Sequence, residues 1–496
     1  MGPMSNPAAA TLPAPAGRWK RGHFFLVLVF LISATLMLAG TRGDLAIDEV
    51  ISLFKSMASD HWYEIITTIQ NDNNHILNTF FLYLLGSQKH LFVYRLPAVI
   101  SGIGLLVMLM VTARRYGKDV PAWTLCLAGF SYPIILYSSE ARGYAPAMFF
   151  AVAAFELLVR CREQFSVAKL LLFWACMCLG FLSHFSFIMV CIALGIWTLS
   201  CDGLDKVPLR QWLFNAVKYF AVPGLFVAGL YLIYIRHMAI LGGNVESWWI
   251  AIAGATSYAL GFANDPGLRF ISVSCATIAA GVGVWILYRH NRREWIFFTL
   301  ILLVSPALVL MAWRPKILYF RYFIVCIPFF YLLLAFVLAG WFRTPGKLKM
   351  LAVLLVLTMA TGHLFKIYSL LSLGRGNYRQ ALTDIAHATA GPVISISSDH
   401  DFRNGILVTY YARFVPPSKQ VVYVPHDYRD KAKPEWVILH SLDETAVAFP
   451  DLEVGQIGKY ILFNSYPYCG SSGWSWFVYH RAAEAADPSA KAAPTK

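Results

Sequence analysis

Asp48 and Glu49 stand side by side just after an apolar run, where a charge must border the hydrocarbon. Carboxylates are costly to keep dry there, so such a pair needs a reason. Its chemistry would be that of a general base, or of an anion held by a cation. Other polar groups recur at comparable places. Asn73-Asn74-His75 follows in the same inter-helix segment and Arg95-Leu96-Pro97 opens the next apolar run. Ser138 to Tyr144 carries Glu140 and Arg142 between two further runs, and Arg314, Lys316, Arg321 and Tyr322 flank another. Carboxylates with several cations at a lipid boundary suit an amphiphile with a phosphate head group, which Arg binds in bidentate fashion. Arg142 and Arg321 equally fit snorkelling anchors at helix ends, and Tyr144 and Tyr322 fit an interfacial aromatic belt.

The elements that must position these residues are membrane helices. The chain has 496 residues, 58% hydrophobic and 14% charged. Soluble domains carry about a quarter charged residues. Apolar runs long enough to cross about 30 Å of hydrocarbon predict eleven spans. They lie near 23–41, 93–112, 121–138, 144–160, 169–184, 185–201, 217–235, 268–288, 295–312, 320–340 and 350–370. His184 is the sole polar break between the fifth and sixth.

A net charge of +14 raises nucleic-acid binding, but the basic residues are placed otherwise. Arg18, Lys20 and Arg21 precede the first span. Clusters such as Arg114, Arg115 and Lys118, or Arg289, Arg292 and Arg293, then mark every second helix end. This positive-inside pattern puts the N-terminus in the cytoplasm and Asp48, His75, Glu140, Arg142 and Arg321 all on the outer face. The segment after Leu371 holds twelve Lys or Arg and twelve Asp or Glu, so no nucleic-acid face is expected.

The fold class expected is mainly α, a polytopic membrane protein with a C-terminal extracytoplasmic α/β domain. Residues 1–22 read as a disordered cytoplasmic start, 23–370 as the transmembrane domain with an outer loop at 42–91, 371–482 as the α/β domain and 483–496 as a disordered tail. Within the loop, 50–58 and 76–85 predict short helices lying at the membrane surface. In the α/β domain, 378–390 has helical spacing, while 393–397, 420–424, 436–440, 460–464 and 476–480 read as strands. Ser471 to Trp474 reads as a structural surface turn. Eight of nine cysteines lie in or beside spans, so they pack between helices and build no disulfide framework.

The order Ile47-Asp48-Glu49, Asn74-His75, Arg95-Leu96-Pro97 and Glu140-x-Arg142-x-Tyr144-Ala145 resembles membrane glycosyltransferases of the GT-C class. Within that class it is similar to the protein O-mannosyltransferase and lipid A aminoarabinose transferase superfamily, over about residues 23–345. It departs at His75-Ile76-Leu77-Asn78, where many members carry His-Pro-Pro. The resemblance implies a polyprenyl-phosphate-linked sugar as donor and a glycan, lipid or protein hydroxyl as acceptor, in a bacterial inner membrane. It implies Asp48 as base, with Glu49 sharing that role or orienting the acceptor. Arg142, Lys316 and Arg321 would hold the donor phosphate, and Asn74, His75, Glu140, Tyr144 and Tyr322 would support the site or the acceptor, Glu140 by positioning Arg142. No cofactor is expected; a divalent metal at Asp48, Glu49 and His75 stays open without ligand spacing to favour it. A lipid-linked-sugar flippase or transporter, and a polysaccharide polymerase or ligase, are the alternatives.

Overall fold

The computed structural model describes residues 16–240, 246–313, 318–455, 457–470 and 472–482. Each of the eleven expected spans is helical. Among the described residues eight helices are long and apolar enough to cross a membrane, and a bent pair makes a ninth. His23–Ala39 and Val167–Ser183 are shorter apolar helices that occupy the first and fifth positions. The chain is an integral membrane protein. The span Phe320–Arg343, 89% of whose apolar window is buried, runs through the centre, whereas Leu209–His237, at 17%, faces outward as a lipid-exposed helix does.

The bent pair matters for function. Val120–Gly129 and Tyr132–Ser138 meet at 64°. Pro133 has no N–H to give the preceding turn, and Ser131 restarts the helix by accepting from the Ile134 N–H at 3.5 Å. The second half ends at Ser138, so the chain turns at 139–143 before Tyr144–Glu163 begins. Among the described helices of ten or more residues, one was not foreseen. Trp248–Leu260 has 13 residues, starts on a Ser247 cap and ends at a left-handed Gly261. At about 1.5 Å per residue it spans some 20 Å, too short for the length criterion that reveals a membrane helix.

The loop after the first helix forms Ile47–Met57 and Ile76–Leu85. Their positions match the sequence expectation, but their surroundings do not. Ile47, Val50 and Leu53 pack in one core with Tyr378, Leu382, Tyr411 and Trp474 of the C-terminal segment. Ile47–Met57 is thus wedged under the soluble domain instead of resting on lipid. Its apolar face, which reads equally well as lipid-facing, meets protein.

The soluble part packs the helix Tyr378–Ala388 on a six-stranded mixed sheet. Its strands are β1 (Val393–Ser398), β2 (Gln420–Tyr423), β3 (Trp436–Ser441), β4 (Asp451–Val454), β5 (Gly458–Tyr466) and β6 (Ser475–Arg481), in the order β2-β1-β3-β6-β5-β4. β1 runs parallel to β2, pairing Val393 with Gln420, and to β3, pairing Ile396 with Trp436. The remaining pairs are antiparallel. β4, Asp-Leu-Glu-Val, escapes sequence reading because only two of its four residues are apolar.

One buried arginine, Arg375, joins the two parts, and a second, Arg95, ties the outer loop to the membrane helices. Arg375 donates to the Gly40 carbonyl at 2.8 Å, the Leu136 carbonyl at 3.0 Å and Ser139 Oγ at 2.9 Å, so it grips the ends of two membrane helices. Arg95 is fully buried and uses all five N–H donors. Nε and Nη2 take the two carboxylate oxygens of Glu49 at 2.8 and 2.7 Å; Nη1 and Nη2 take the carbonyls of Thr41, Gly43 and Asp44. Breaking such a pair leaves an uncompensated buried charge. Glu49→Leu is therefore expected to cost about 3–5 kcal/mol of stability, read as a lowered melting temperature of the detergent-solubilised protein.

Candidate functional site

Where the loop helices, the membrane helix ends and the soluble domain converge there is a polar cavity of about 330 Å³. Its lining includes Asp48, Asp72, Asn73, His75, Arg142, Tyr144, His184, Arg321 and Tyr322 from the membrane part and Phe402, Arg403, Tyr468, Ser472 and Trp474 from the soluble part. Three guanidiniums face two carboxylates, so the walls carry surplus positive charge.

Arg142 is the most constrained of these groups. Its Nε and Nη2 lie 3.0 and 2.7 Å from His75 Nε2, Nη2 donates to Asn73 Oδ1 at 2.7 Å, and Nη1 pairs with Asp48. His75 Nδ1 sits 3.1 Å from the Ser183 carbonyl oxygen, which can only accept. Nδ1 therefore carries the proton and Nε2 offers its lone pair to Arg142. Burial, then the Arg142 charge, then His184 hold His75 well below the ordinary histidine range, so it stays neutral. The backbone is equally fixed. A Cβ on Gly143 would fall 1.7 Å from the Ser183 carbonyl oxygen, so only glycine lets the turn approach that closely.

Asp48 projects into the cavity between two cations. Arg142 Nη1 bonds its Oδ2, and Arg321 Nη1 lies 3.3 Å from the same oxygen. Burial alone would raise its pKa; Arg142, Arg321 and the more distant Lys55 outweigh this and hold the carboxyl below its usual range. Arg321 stacks on the Tyr319 ring at 4.7 Å. Among the described residues its buried Nε has no hydrogen-bond partner. A buried donor left unmade is costly, so this guanidinium has capacity for an anion.

The other expected site residues divide. Tyr144, its ring 5.2 Å from that of His75 and from the Arg142 guanidinium, and Tyr322, beside His184, line the cavity. Asn74 does not line it; its amide donates to the carbonyls of Ile65 and Ile69, both at 2.9 Å, and shapes the turn below. Lys316 lies outside the described residues. Glu49 requires correction as a catalytic candidate. Besides Arg95, its oxygens accept from the N–H of Ala46 at 2.8 Å and of Ala141 at 2.7 Å. Those four bonds fill its lone pairs and leave none for an acceptor. Glu140 does not position Arg142 either. Its Oε1 accepts from Ser472 at 2.5 Å and faces Arg375 at 4.0 Å. The residues that do place Arg142 are Glu49 and Asn78, which hold the N–H and the carbonyl of Ala141. As a metal set Asp48, Glu49 and His75 do not converge: Glu49 is spent on Arg95, and His75 Nε2 on Arg142.

A second hollow of about 740 Å³ runs between Trp248–Leu260, Arg269–Arg289, the helix ending at Trp313 and the start of Ile327–Arg343. Its lining is mostly aliphatic, with Ile252, Ala276, Leu302, Leu310, Leu318 and Phe323 among it. A smaller hollow of about 150 Å³ shares Leu310, Leu318 and Phe323 with it. That smaller one also shares Asp72, His75, His184 and Tyr322 with the polar cavity. Polar cavity and apolar groove are therefore linked wall to wall.

No protein-family model and no curated protein sequence matches the chain. Solved structures do. ArnT from Cupriavidus metallidurans in the apo state aligns at TM-score 0.53 and 12% identity over 94% of this chain and 98% of that one. The chain shares the overall fold of that structure. ArnT bound to undecaprenyl phosphate covers 95% of this chain and 99% of its own at 13% identity, but its TM-score of 0.49 adds no argument. The same holds for the archaeal oligosaccharyltransferase AglB from Archaeoglobus fulgidus, at 0.45, 11% identity, and 86% and 70% coverage.

On this scaffold the residues that sequence reading missed come from two sources. His184 was visible as the one polar break between two apolar runs, and that break is where the chain enters the cavity. Arg403, Ser472 and Trp474 carried no local signal. The 471–474 turn, expected at the surface, turns inward at Ser472 and Trp474, because Ser472 bonds Glu140 and the Trp474 indole N–H bonds Asn404 at 3.2 Å.

Lys55, on the helix that bears Asp48, gives this region a pH signature. It donates to Asn71 Oδ1 at 2.6 Å, and burial pushes its pKa down to about 8, against the pull of Asp72 and Asp48. The folded protein thus binds fewer protons here than the unfolded chain between about 8 and the usual lysine value, where stability from this group rises with pH. Lys55→Met is expected to flatten that rise, measured as melting temperature against pH from 7 to about 10.5.

Proposed function

We propose that this chain is an inverting glycosyltransferase that moves a sugar from a polyprenyl-phosphate donor to a hydroxyl of a glycan, lipid or protein acceptor. The observation that carries the reading is Asp48, a cavity-lining carboxylate set between two guanidiniums, in a positive cavity linked to an apolar groove by a smaller hollow that shares wall residues with both. A polyprenyl phosphate sugar is an amphiphile with those same two requirements. Its chain suits the groove lined by Ile252, Leu302 and Phe323, and its phosphate suits Arg321, whose Nε is unpartnered among the described residues. Lys316, five residues before Arg321, would add a second cation to that group.

In the proposed reaction the acceptor oxygen attacks the anomeric carbon from the face opposite the phosphate. The bond from that carbon to the phosphate oxygen breaks, and its electron pair leaves with the lipid phosphate. The acceptor proton passes to Asp48. Free Asp48 is a weak base because Arg142 and Arg321 stabilise its anion. A donor phosphate drawing on Arg321 would relieve that hold, so donor binding would strengthen the base. The leaving group needs no acid, since phosphate is stable as an anion, and Arg142 and Arg321 would meet its developing charge without reorganising. Glu49 acts in this scheme by holding Arg142 in place.

The distribution of basic residues supports a cytoplasmic N-terminus, with the cavity and soluble domain on the periplasmic or extracellular side of a bacterial inner membrane. In membranes carrying the protein, a panel of radiolabelled polyprenyl-phosphate sugars is expected to include one from which lipid phosphate is released as the sugar is transferred. Asp48→Asn should lower that release about 10²- to 10⁴-fold at unchanged expression. Full activity of the variant refutes the base assignment. Movement of intact donor across vesicles with no sugar release would favour a flippase.

A further inference from the structure

Arg403 enters the cavity from the wall opposite the membrane helices, and its setting is built. His400 caps a π-helical turn, Asp401–Gly405, that leads into Ile406–Tyr411. Such turns concentrate at functional sites. Asp401 is tied down by Tyr423 Oη at 2.7 Å and by the His426 N–H at 3.0 Å. Behind Arg403 stands a carboxylate–imidazole pair. His440 Nδ1 lies 2.9 and 3.0 Å from the two oxygens of Asp399, so Nδ1 carries the proton, and Nε2 accepts from Arg403 Nη1 at 2.9 Å. Asp399 is held in turn by Asn404 Nδ2 at 2.9 Å and the His440 N–H at 3.1 Å. The guanidinium packs over the Trp474 ring at 5.8 Å. Among the described residues its Nε and Nη2 have no hydrogen-bond partner. A cation oriented by an imidazole and an aromatic face, with two of its nitrogens free among the described residues, is arranged to receive an anion.

The question is which anion. All residues lining the apolar groove and the smaller hollow beside it precede residue 331. A lipid-linked donor held there would meet the cavity from the side of Arg321 and Tyr322. Phe402, Arg403, Tyr468, Ser472 and Trp474 line the polar cavity and neither of the others. One donor phosphate has its partner on the membrane side, so Arg403 is left for the second substrate. We propose that Arg403, oriented by His440 and Asp399, reads a phosphate or carboxylate group on the acceptor, close to the hydroxyl that is glycosylated. The inference rests on the transferase reading above and adds the chemical class of the acceptor.

The test uses the full chain in native membranes and, purified, in lipid nanodiscs. With whichever labelled polyprenyl-phosphate sugar is turned over, Arg403→Gln is expected to lower transfer to the membrane acceptor roughly ten- to a hundredfold. Arg403→Lys, which keeps the charge without the planar fork, should restore part of it. Binding of undecaprenyl phosphate to the nanodisc protein should be unchanged in Arg403→Gln and lost in Arg321→Gln, which also shows that the Arg403 variant is folded. The labelled product, resolved from donor, should be retained by an anion exchanger at neutral pH. Unimpaired transfer by Arg403→Gln, or an unretained product, overturns the proposal. So does a loss of undecaprenyl phosphate binding equal to that of Arg321→Gln, which would assign Arg403 to the donor. A wild-type protein that neither binds undecaprenyl phosphate nor releases it fails the transferase reading itself, and the acceptor proposal falls with it.

Discussion

The fully buried pair of Glu49 and Arg95 is the interaction on which the site depends. A guanidinium and a carboxylate taken out of water are tolerable only when every donor and lone pair is met. Here five donors and four acceptor positions are met, and the partners are informative. Arg95 gathers the carbonyls of Thr41, Gly43 and Asp44, which lead from the first membrane helix into Ile47–Met57. Glu49 gathers the N–H of Ala141, one residue from Arg142. A single ion pair thus ties the start of the helix that bears Asp48 to the turn that bears its cationic partner. On a helix, neighbouring residues point about 100° apart, so the dipeptide Asp48-Glu49 divides its labour: one carboxylate goes inward to build, the other faces the cavity.

A second constraint follows from charge in the cavity. Arg142 bonds a neutral histidine and an amide, so those contacts orient it without discharging it, and among the described residues Asp48 is its only bonded anion. Asp48 must also serve Arg321. The walls therefore stay positive even with Asp48 ionised, and the donors are fixed before any ligand arrives. Preorganised charge of this kind stabilises a developing anion without a reorganisation cost at the moment of reaction.

Much of this was legible in the sequence, for physical reasons that also mark the limits. Membrane helices must be long and apolar, so all eleven positions could be read. Polar residues at their ends are expensive, so Asp48, His75, Arg142, Tyr144, Arg321 and Tyr322 stood out, and the fold gathers them. What failed were partner assignments. Glu140 lies two residues from Arg142, yet its hydrogen bond goes to Ser472, 332 positions away. Glu49 looked equivalent to Asp48 because the sequence does not display helix orientation. The helix Trp248–Leu260 was missed because the criterion for a membrane helix is length, and a 13-residue helix packed inside the bundle has no reason to meet it.

The soluble domain was legible as a fold and illegible as a wall. Most of its strands read as short apolar runs bounded by Gly, Pro and Asp, but no local pattern marks Arg403 or Trp474 as facing a cavity that other parts of the chain create. The physical link is the junction. Arg375 holds the Gly40 and Leu136 carbonyls, and Tyr411 Oη accepts from the Leu45 N–H at 2.5 Å while donating to its carbonyl at 3.0 Å. These contacts clamp the domain onto the segment between the first membrane helix and Asp48. The position of Arg403 relative to Asp48 is therefore set by the same few residues that set Asp48 itself. A domain hung on a flexible tether would leave that distance free, and a cavity with one wall from each part would have no defined shape. Arg375 and Tyr411, buried at the junction, are what make a soluble domain part of a membrane site.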